Sequence, residues 1–348
     1  MQWSLEQLRK FRRKDVFGLD IGPDAIKVVQ LSKNGDGYTT TAAGITNIPS
    51  HNSNNATTIT DAIQDCLNTS GIQTQLAVCS VSGQAVAARS FNFPSLPSDE
   101  IPGAVQFEAA QVCPFDVNNA AVDYQLIYDD AKNAQGVLVA ATNPIIETKR
   151  QLVKAANLDC CLMDVDGLAL LNCFSECEKP QTQEPVTILN IGASNTTLVI
   201  RGNNNLPFIR NIAFGGNDII QLIANERNIA PEIITANLFD PEDSSRQNQD
   251  TTNYLESACQ RLVVDIKESL RYYKTQEKSA PAEKMLTCGS FAMASGLIET
   301  LNSHLVADVV LWNPFEKIGC HQNSNCRDIL KKNGPAMAVV AGLAMRSI

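Results

Sequence analysis

Residues 16–23 read Val-Phe-Gly-Leu-Asp-Ile-Gly-Pro, and residues 187–194 read Thr-Ile-Leu-Asn-Ile-Gly-Ala-Ser. Each stretch is an apolar run that closes in an acid or its amide, then isoleucine, glycine and a small residue, before a second β-rich run. Two such turns facing each other can hold the phosphates of one nucleotide, because glycine lets backbone amides approach the oxygens closely. We call residues 20–23 the first glycine turn and residues 190–195 the second glycine turn.

The surroundings of the two turns repeat as well. A strand, a glycine turn, a strand, a hairpin turn and a third strand are predicted over residues 16–45 and again over residues 187–214. Internal duplication of a β-β-β-α-β-α unit is the simplest account. The length of 348 residues favours two or more lobes, since it exceeds what one ordinary core supports. The sequence therefore predicts an α/β protein built from two related domains.

Composition excludes several classes of protein. The formal net charge of −9 argues against nonspecific binding of nucleic acid, which is itself a polyanion. No apolar stretch approaches the length of a membrane span, and the N-terminus is polar and basic, so a cytoplasmic protein is expected. Residues 1–14 are predicted as a short basic helix, for which a solvated helix is favoured over contact with anionic lipid. The 11 cysteines have irregular spacing that fits no standard zinc site, which favours free thiols.

The first glycine turn carries residue types that suit a nucleotide. Asp20, at the end of a buried strand, can hold the water shell of Mg²⁺, and the backbone around Gly22 and Pro23 can approach phosphate. Lys27 in the next strand is a compact charge that suits a β-phosphate. The alternative is an ordinary β-hairpin with a glycine bend, and the pattern is weak when it stands alone.

The second half supplies further candidates. After the second glycine turn, a Phe-Gly-Gly segment opens a helix, and a later strand ends in Thr-Cys-Gly-Ser. The predicted nucleotide-binding residues in this half are Asn190, Gly192, Ala193, Ser194, Asn195, Gly215, Gly216, Gly289 and Ser290, with Asp265, Lys267 and Glu268 on a helix. The competing interpretations are plain strand–helix connections for the glycines and a solvated charged face for the helix.

Other chemistries fit poorly. The sequence has no Gly-x-x-x-x-Gly-Lys-[Ser/Thr] loop and no Gly-x-Gly-x-x-Gly motif. Its three histidines do not accompany a Gly-x-Ser-x-Gly elbow, so a Ser-His-Asp hydrolase is not expected. No cluster of histidine and carboxylate suggests a catalytic transition metal.

Segments along nearly the whole chain resemble one family. In order and spacing they are similar to PilM proteins of type IV pilus assembly, which are related to the cell-division protein FtsA. The segments that carry the resemblance are Phe17–Gly22, Ile26–Ser32, Pro114–Phe115, Asp123–Gln125, Ile191–Ser194, Ile212–Gly216, Ser269–Tyr273, Asn313–Phe315 and Ala341–Arg346.

The resemblance implies an actin/Hsp70-like ATPase fold of duplicated RNase H-like domains, with ATP and Mg²⁺ in the interdomain cleft and Asp20 holding the metal through water. It also implies an inserted subdomain, and a groove beside it for the N-terminal cytoplasmic peptide of a PilN-like inner-membrane protein. Such a chain is a scaffold, cytoplasmic and peripheral to the inner membrane through its partners. The pilus motor ATPase, the platform protein and other copies of the chain are further expected partners.

The resemblance also implies domain boundaries. The first actin-like domain takes residues 15–97 and 161–185 with the C-terminal helix 335–348, the insert takes 98–160, and the second domain takes 186–334, with 216–284 as its smaller subdomain. Within the insert, a helix is predicted over residues 98–112 with Ser98 as its N-cap.

Two departures from the family pattern bear on activity. Pro23 stands where the family usually has serine, which removes a backbone donor and a hydroxyl. Asn190 stands where the family usually has aspartate, and an amide lacks the charge to orient water or support Mg²⁺. We therefore expect weak or absent ATP hydrolysis. The competing functions are an active ATPase or phosphotransferase of the same superfamily, for which no carboxylate base can be nominated, and an FtsA-like filament-forming membrane tether.

Overall fold

The computed structural model describes residues 16–35, 37–49, 55–129, 133–180, 185–202, 205–239, 248–277, 282–321 and 324–346. The helix predicted at residues 1–14 lies outside the described residues. The chain divides into two compact units. Unit 1 comprises Met1–Val81, Pro144–Lys179 and Pro314–Ile348, and unit 2 comprises Ser82–Asn143 and Pro180–Asn313.

The strands are β1 (Phe17–Ile21), β2 (Ala25–Asn34), β3 (Gly37–Asn47), β4 (Leu76–Val81), β5 (Val86–Pro94), β6 (Ala120–Asp129), β7 (Asn133–Thr142), β8 (Asp159–Val165), β9 (Val186–Ile191), β10 (Thr196–Arg201), β11 (Pro207–Ile212), β12 (Lys284–Cys288), β13 (Asp308–Leu311) and β14 (Gly319–Cys320). The α-helices are α1 (Ala56–Ser70), α2 (Ile101–Val112), α3 (Asn143–Ala155), α4 (Asp166–Glu178), α5 (Gly216–Arg227), α6 (Pro231–Phe239), α7 (Asn248–Glu277), α8 (Leu297–His304), α9 (Ser324–Asn333) and α10 (Ala338–Ala344).

The two large sheets share a five-strand topology, to which unit 1 adds β14, and this confirms the predicted duplication. In unit 1 the strand order is β14-β3-β2-β1-β4-β8, and in unit 2 it is β11-β10-β9-β12-β13. In both, the first strand pairs antiparallel with the second and parallel with the fourth, and the fourth pairs parallel with the fifth. Each sheet thus begins with a three-stranded meander and continues with parallel strands, which need crossover connections.

The core of unit 1 forms because β1 is buried on both faces. Phe17 and Leu19 are fully buried, and Gly18 on the other face packs against helix α10. A β-carbon on Gly18 would lie 2.3 Å from the carbonyl oxygen of Val340 in α10. Likewise, one on Gly342 would lie 1.9 Å from the carbonyl oxygen of Ala169 in α4. Glycine at these two positions therefore lets α10 pack closely on β1 and on α4. No helix in the part of the chain that the structure describes is long and apolar enough to span a bilayer.

A third, smaller sheet lies in unit 2, with the order β5-β7-β6, and α2 packs on it through Ile101, Val105 and Ala109. The prediction that Ser98 caps this helix is wrong. The cap position belongs to Glu100, whose amide donates to the carbonyl of Pro97, so residues 98–100 form a turn before the helix.

The predicted insert, residues 98–160, covers elements of both units. The small sheet includes β5, which precedes residue 98, while α3 contributes Leu152 and Val153 to the core of unit 1. The division of the chain into functional domains stays a prediction.

Candidate functional site

The first glycine turn is the β1–β2 hairpin of unit 1. Asp20 and Lys27 are paired in register, and the Lys27 Nζ lies 2.9 Å from Asp20 Oδ2. The side chain of Asp20 is 18% exposed and that of Lys27 is 11% exposed. The amide of Gly22 donates to the carbonyl of Ala25 at 3.0 Å and closes the turn. Pro23 is exposed at its tip. A strand-end carboxylate thus lies beside a largely buried cation at a turn that Gly22 closes.

Sequence reasoning missed a second cation at this turn. Lys149 of α3 is partly buried, and its Nζ donates a hydrogen bond to the carbonyl of Ile21, between Asp20 and Gly22. Burial lowers the pKa of Lys149, while the nearby carboxylates of Asp20 and Asp166 raise it and the charge of Lys27 lowers it further. Lys149 stands in an amphipathic helix far along the chain, so no local pattern connects it to the turn.

The second glycine turn closes in the same way as the first. The amide of Gly192 donates to the carbonyl of Asn195 at 3.0 Å, three residues on, as Gly22 does to Ala25. In both turns an added β-carbon on the glycine would lie 3.0 Å from that same carbonyl oxygen. The repeated sequence therefore produces a repeated backbone geometry, one copy in each unit.

The Phe-Gly-Gly segment lies directly on the second glycine turn. The amide of Gly216 donates to the carbonyl of Gly192 at 2.9 Å, and that of Asn217 donates to the carbonyl of Ala193 at 2.8 Å. A β-carbon on Gly215 would lie 2.6 Å from the Ala193 carbonyl oxygen, so the two backbones can meet only if residue 215 is glycine. Gly215 and Gly216 thus shape this turn by packing on its backbone.

Gly289 approaches the same turn from β12. Its φ of +98° is a conformation that L-residues rarely adopt, and a β-carbon would lie 2.3 Å from the carbonyl oxygen of Ile191. The Sγ of Cys288 lies 3.8 Å from Asn190 Oδ1 and donates to it. The side-chain amide of Asn190 is therefore held against the end of β12.

The second glycine turn also contacts a residue that sequence reasoning did not select. Asn195 Nδ2 donates to the hydroxyl of Ser82 at 3.3 Å. Close by, Asn211 Nδ2 donates to the carbonyls of Gly83 at 3.0 Å and Val86 at 3.3 Å. The segment between β4 and β5 is thereby fastened to the turn. The Ser-Gly pair directly after β4 was the only signal that the sequence offered for it.

Asp265, Lys267 and Glu268 lie on α7, with Lys267 and Glu268 exposed and Asp265 partly buried. Ser194 is exposed at the second glycine turn, and Ser290 is partly buried after β12. The structure thus brings together Asn190–Asn195, Gly215–Gly216 and Gly289 within unit 2. The role of each of these residues in binding nucleotide stays a prediction.

Asp20 is a carboxylate that the first glycine turn offers to a cation. Within the described residues, no group of three or more histidine, cysteine, aspartate or glutamate side chains could hold a metal ion. Mg²⁺ commonly keeps several waters and uses one or two carboxylates with substrate phosphates, and Asp20 at a strand end beside a glycine turn fits that role.

Two sheets of one topology, each with a glycine turn after its first strand, place the protein in the class of actin-like ATPase folds. Nearly its whole length is similar to solved members of that class. A chain of a PilM-PilN type IV pilus biogenesis complex matches at 22% identity with a TM-score of 0.79, over 96% of this chain and 98% of that one. The chain belongs to the type IV pilus assembly protein PilM family, whose model matches residues 18–348.

More distant solved structures share only the fold. The ethanolamine utilization protein EutJ from Carboxydothermus hydrogenoformans matches at 11% identity with a TM-score of 0.55, over 96% of this chain and 90% of that one. MreB5 of Spiroplasma citri, solved with ADP, matches at 10% identity with a TM-score of 0.50, over 95% of each chain. Nucleotide binding in general is a property of this fold class.

Proposed function

We propose that this chain is a nucleotide-binding scaffold of a type IV pilus machine that binds the N-terminal cytoplasmic segment of a PilN-like inner-membrane protein. The family match over residues 18–348 carries this proposal. The likeness to a chain of a PilM-PilN complex over nearly the full length of both supports the choice of partner. Such a scaffold is peripheral to the inner membrane through that partner.

The small β5-β7-β6 sheet offers a surface for this peptide. Phe107 on α2 is 71% exposed, and Tyr128 on the edge strand β6 is 54% exposed. Large aromatic side chains at a surface are common anchors of binding interfaces, since they bury much area at small entropic cost. We assign the peptide to the surface of this small sheet and of helix α2, where these two side chains are exposed.

Fluorescence anisotropy with a labelled peptide from the cytoplasmic N-terminus of a co-encoded single-pass membrane protein tests the assignment. We expect saturable binding that Phe107→Ala weakens by about tenfold, the effect of losing one interface anchor. Val306→Ala is the matched control, because Val306 is fully exposed elsewhere in unit 2 and its loss should leave the affinity unchanged. Equal binding of a scrambled peptide would refute the proposal.

We further propose that the nucleotide is ATP with Mg²⁺. Lys27 at the first glycine turn supplies positive charge, Asp20 holds the metal through water, and the backbone amides of that turn contact phosphate. When bound, Mg²⁺ supplies charge neutralisation at the phosphates. Isothermal titration with ATP and Mg²⁺ tests this, and the absence of heat at millimolar nucleotide would overturn it.

Hydrolysis is proposed to be weak, because Asn190 and Pro23 replace an acid and a serine. Phosphate release by the wild-type protein should be slow, and the double variant Pro23→Ser, Asn190→Asp should release phosphate faster. Turnover by the wild-type protein at a rate ordinary for kinases would instead favour the phosphotransferase alternative. Sedimentation of nucleotide-dependent polymers would favour the filament-forming tether.

A further inference from the structure

Lys149 occupies an unusual position for a lysine. It is partly buried on α3, yet its amino group donates to a main-chain carbonyl, that of Ile21. Ile21 is the last residue of β1 and directly precedes Gly22. The helix therefore delivers an ammonium group to the backbone at the start of the first glycine turn.

The groups around this amine come from four elements. Asp20 of β1, Lys27 of β2, Cys79 of β4 and Asp166 of α4 all act on it electrostatically. Asp20 is engaged by Lys27 at 2.9 Å, so the two carboxylates and two ammonium groups nearly cancel.

We infer that Lys149 is a second phosphate-binding cation of the nucleotide site, beside Lys27, and this rests on the proposed nucleotide-binding function. An ammonium group has three N–H donors, and the Ile21 carbonyl takes one of them. Pro23 removes a backbone donor from the same turn. A side-chain cation at the turn can replace that lost donor with a charge-assisted hydrogen bond, which is stronger than a neutral one.

A purely structural role is the competing explanation, in which Lys149 only satisfies the Ile21 carbonyl and fixes α3 on the hairpin. The two roles differ in what they predict for ligands. A phosphate-binding cation acts on nucleoside di- and triphosphates and has little effect on adenosine. A structural cation affects the melting temperature of the unliganded protein and weakens all ligands alike.

The experiment measures dissociation constants of Mg-ATP, Mg-ADP and adenosine on the full chain by isothermal titration. We expect Lys149→Met to weaken Mg-ATP and Mg-ADP by about tenfold or more, the usual effect of losing a charge-assisted hydrogen bond. Adenosine should change by less than about twofold, and Lys149→Arg should recover most of the lost affinity. Lys154→Met is the control, because Lys154 is an exposed lysine on the same helix.

Three results would overturn the inference. If the wild-type protein binds no nucleotide, the proposed nucleotide binding and the role of Lys149 fail together. If it binds Mg-ATP and Lys149→Met binds it equally well, only the role of Lys149 fails. If Lys149→Met weakens adenosine as much as Mg-ATP, or Lys149→Arg recovers stability without recovering affinity, Lys149 is structural.

Discussion

At the scale of single residues, the site depends on glycines at which a side chain would collide with backbone. Gly289 combines a φ of +98° with a carbonyl oxygen 2.3 Å from where a β-carbon would lie, and Gly215 packs on Ala193 with a similar closeness. The sequence marked both positions as turns between a strand and a helix, but it did not show which backbone each one packs against. A strand followed by glycine predicts a turn, but only the partner backbone decides whether another residue is tolerated.

We predict that Gly289→Ala destabilises the protein by more than the left-handed conformation alone explains. The conformational cost is about 1–2 kcal/mol, and the collision with Ile191 adds about 1–3 kcal/mol. Gly35→Ala is the matched control, since Gly35 has a φ of +59° and a β-carbon there would have nothing within 4 Å. Urea unfolding measures both, and equal losses in the two variants would contradict the argument.

Lys149 gives a prediction about pH. Burial lowers its pKa, so its amine loses its charge at a lower pH than that of an ordinary lysine. The groups around it also act on this pKa: Asp20, Asp166 and Cys79 raise it, and Lys27 lowers it further. If the charged form binds phosphate, the dissociation constant of Mg-ADP should rise as the pH increases through this lowered pKa. Lys149→Arg keeps its charge throughout and should show a flatter profile over the pH range below the ordinary pKa of lysine. Parallel profiles for the two proteins would contradict this.

At the scale of elements, one asparagine joins the end of β11 to the start of β5. Asn211 Nδ2 donates to the carbonyls of Gly83 and Val86, while its Oδ1 accepts from the hydroxyl of Thr197 at 3.1 Å. Ser90 and Arg89 of β5 also donate to carbonyls of β11. The small sheet is thereby attached to the large sheet of unit 2 by hydrogen bonds that no sequence period predicts.

Asn211→Asp should loosen this attachment, because a carboxylate cannot donate to either carbonyl. We expect a loss of about 1–3 kcal/mol and faster amide hydrogen exchange in β5. Asn92→Asp makes the same chemical change at an exposed position of β5 and should cost less than about 0.5 kcal/mol. Unchanged exchange in β5 of the Asn211 variant would show that the attachment does not depend on this side chain.

Prediction of the elements themselves succeeded where hydrophobic alternation was strong. The strands that flank both glycine turns and the repeated strand order were indicated by the sequence. The elements β8, α6, α8, β13 and α9 were missed. β8 has a register irregularity opposite Ala77 and Val78, so its alternation is broken, and the others are short.

At the scale of the whole molecule, the hydrophobic cores decide which cysteine thiols a reagent can reach. Of the 11 cysteines, six are buried, four are partly buried and Cys161 is exposed. Burial raises the pKa of Cys66 to about 11 and that of Cys259 to about 12, so their thiolate fractions are negligible near neutral pH.

We predict that a thiol-reactive chromogenic disulfide labels Cys161 first at about pH 8 and that the six buried thiols react only on unfolding. Four partly buried cysteines should react at intermediate rates. Cys161→Ser should remove the fastest phase and leave the others unchanged. Labelling of all 11 cysteines at the rate seen in urea would contradict the burial of these side chains.

The sequence by itself determined the duplicated strand–turn–strand pattern, the fold class and the family, because alternation, glycine bends and their spacing are local properties of the chain. The departures at Pro23 and Asn190 were also visible there. Only the tertiary structure brought Gly192, Gly215 and Gly289 into one cluster. It alone placed Lys149 on the carbonyl of Ile21, because that contact joins residues 128 positions apart. Such contacts depend on how helices and sheets pack, which no short window of sequence records.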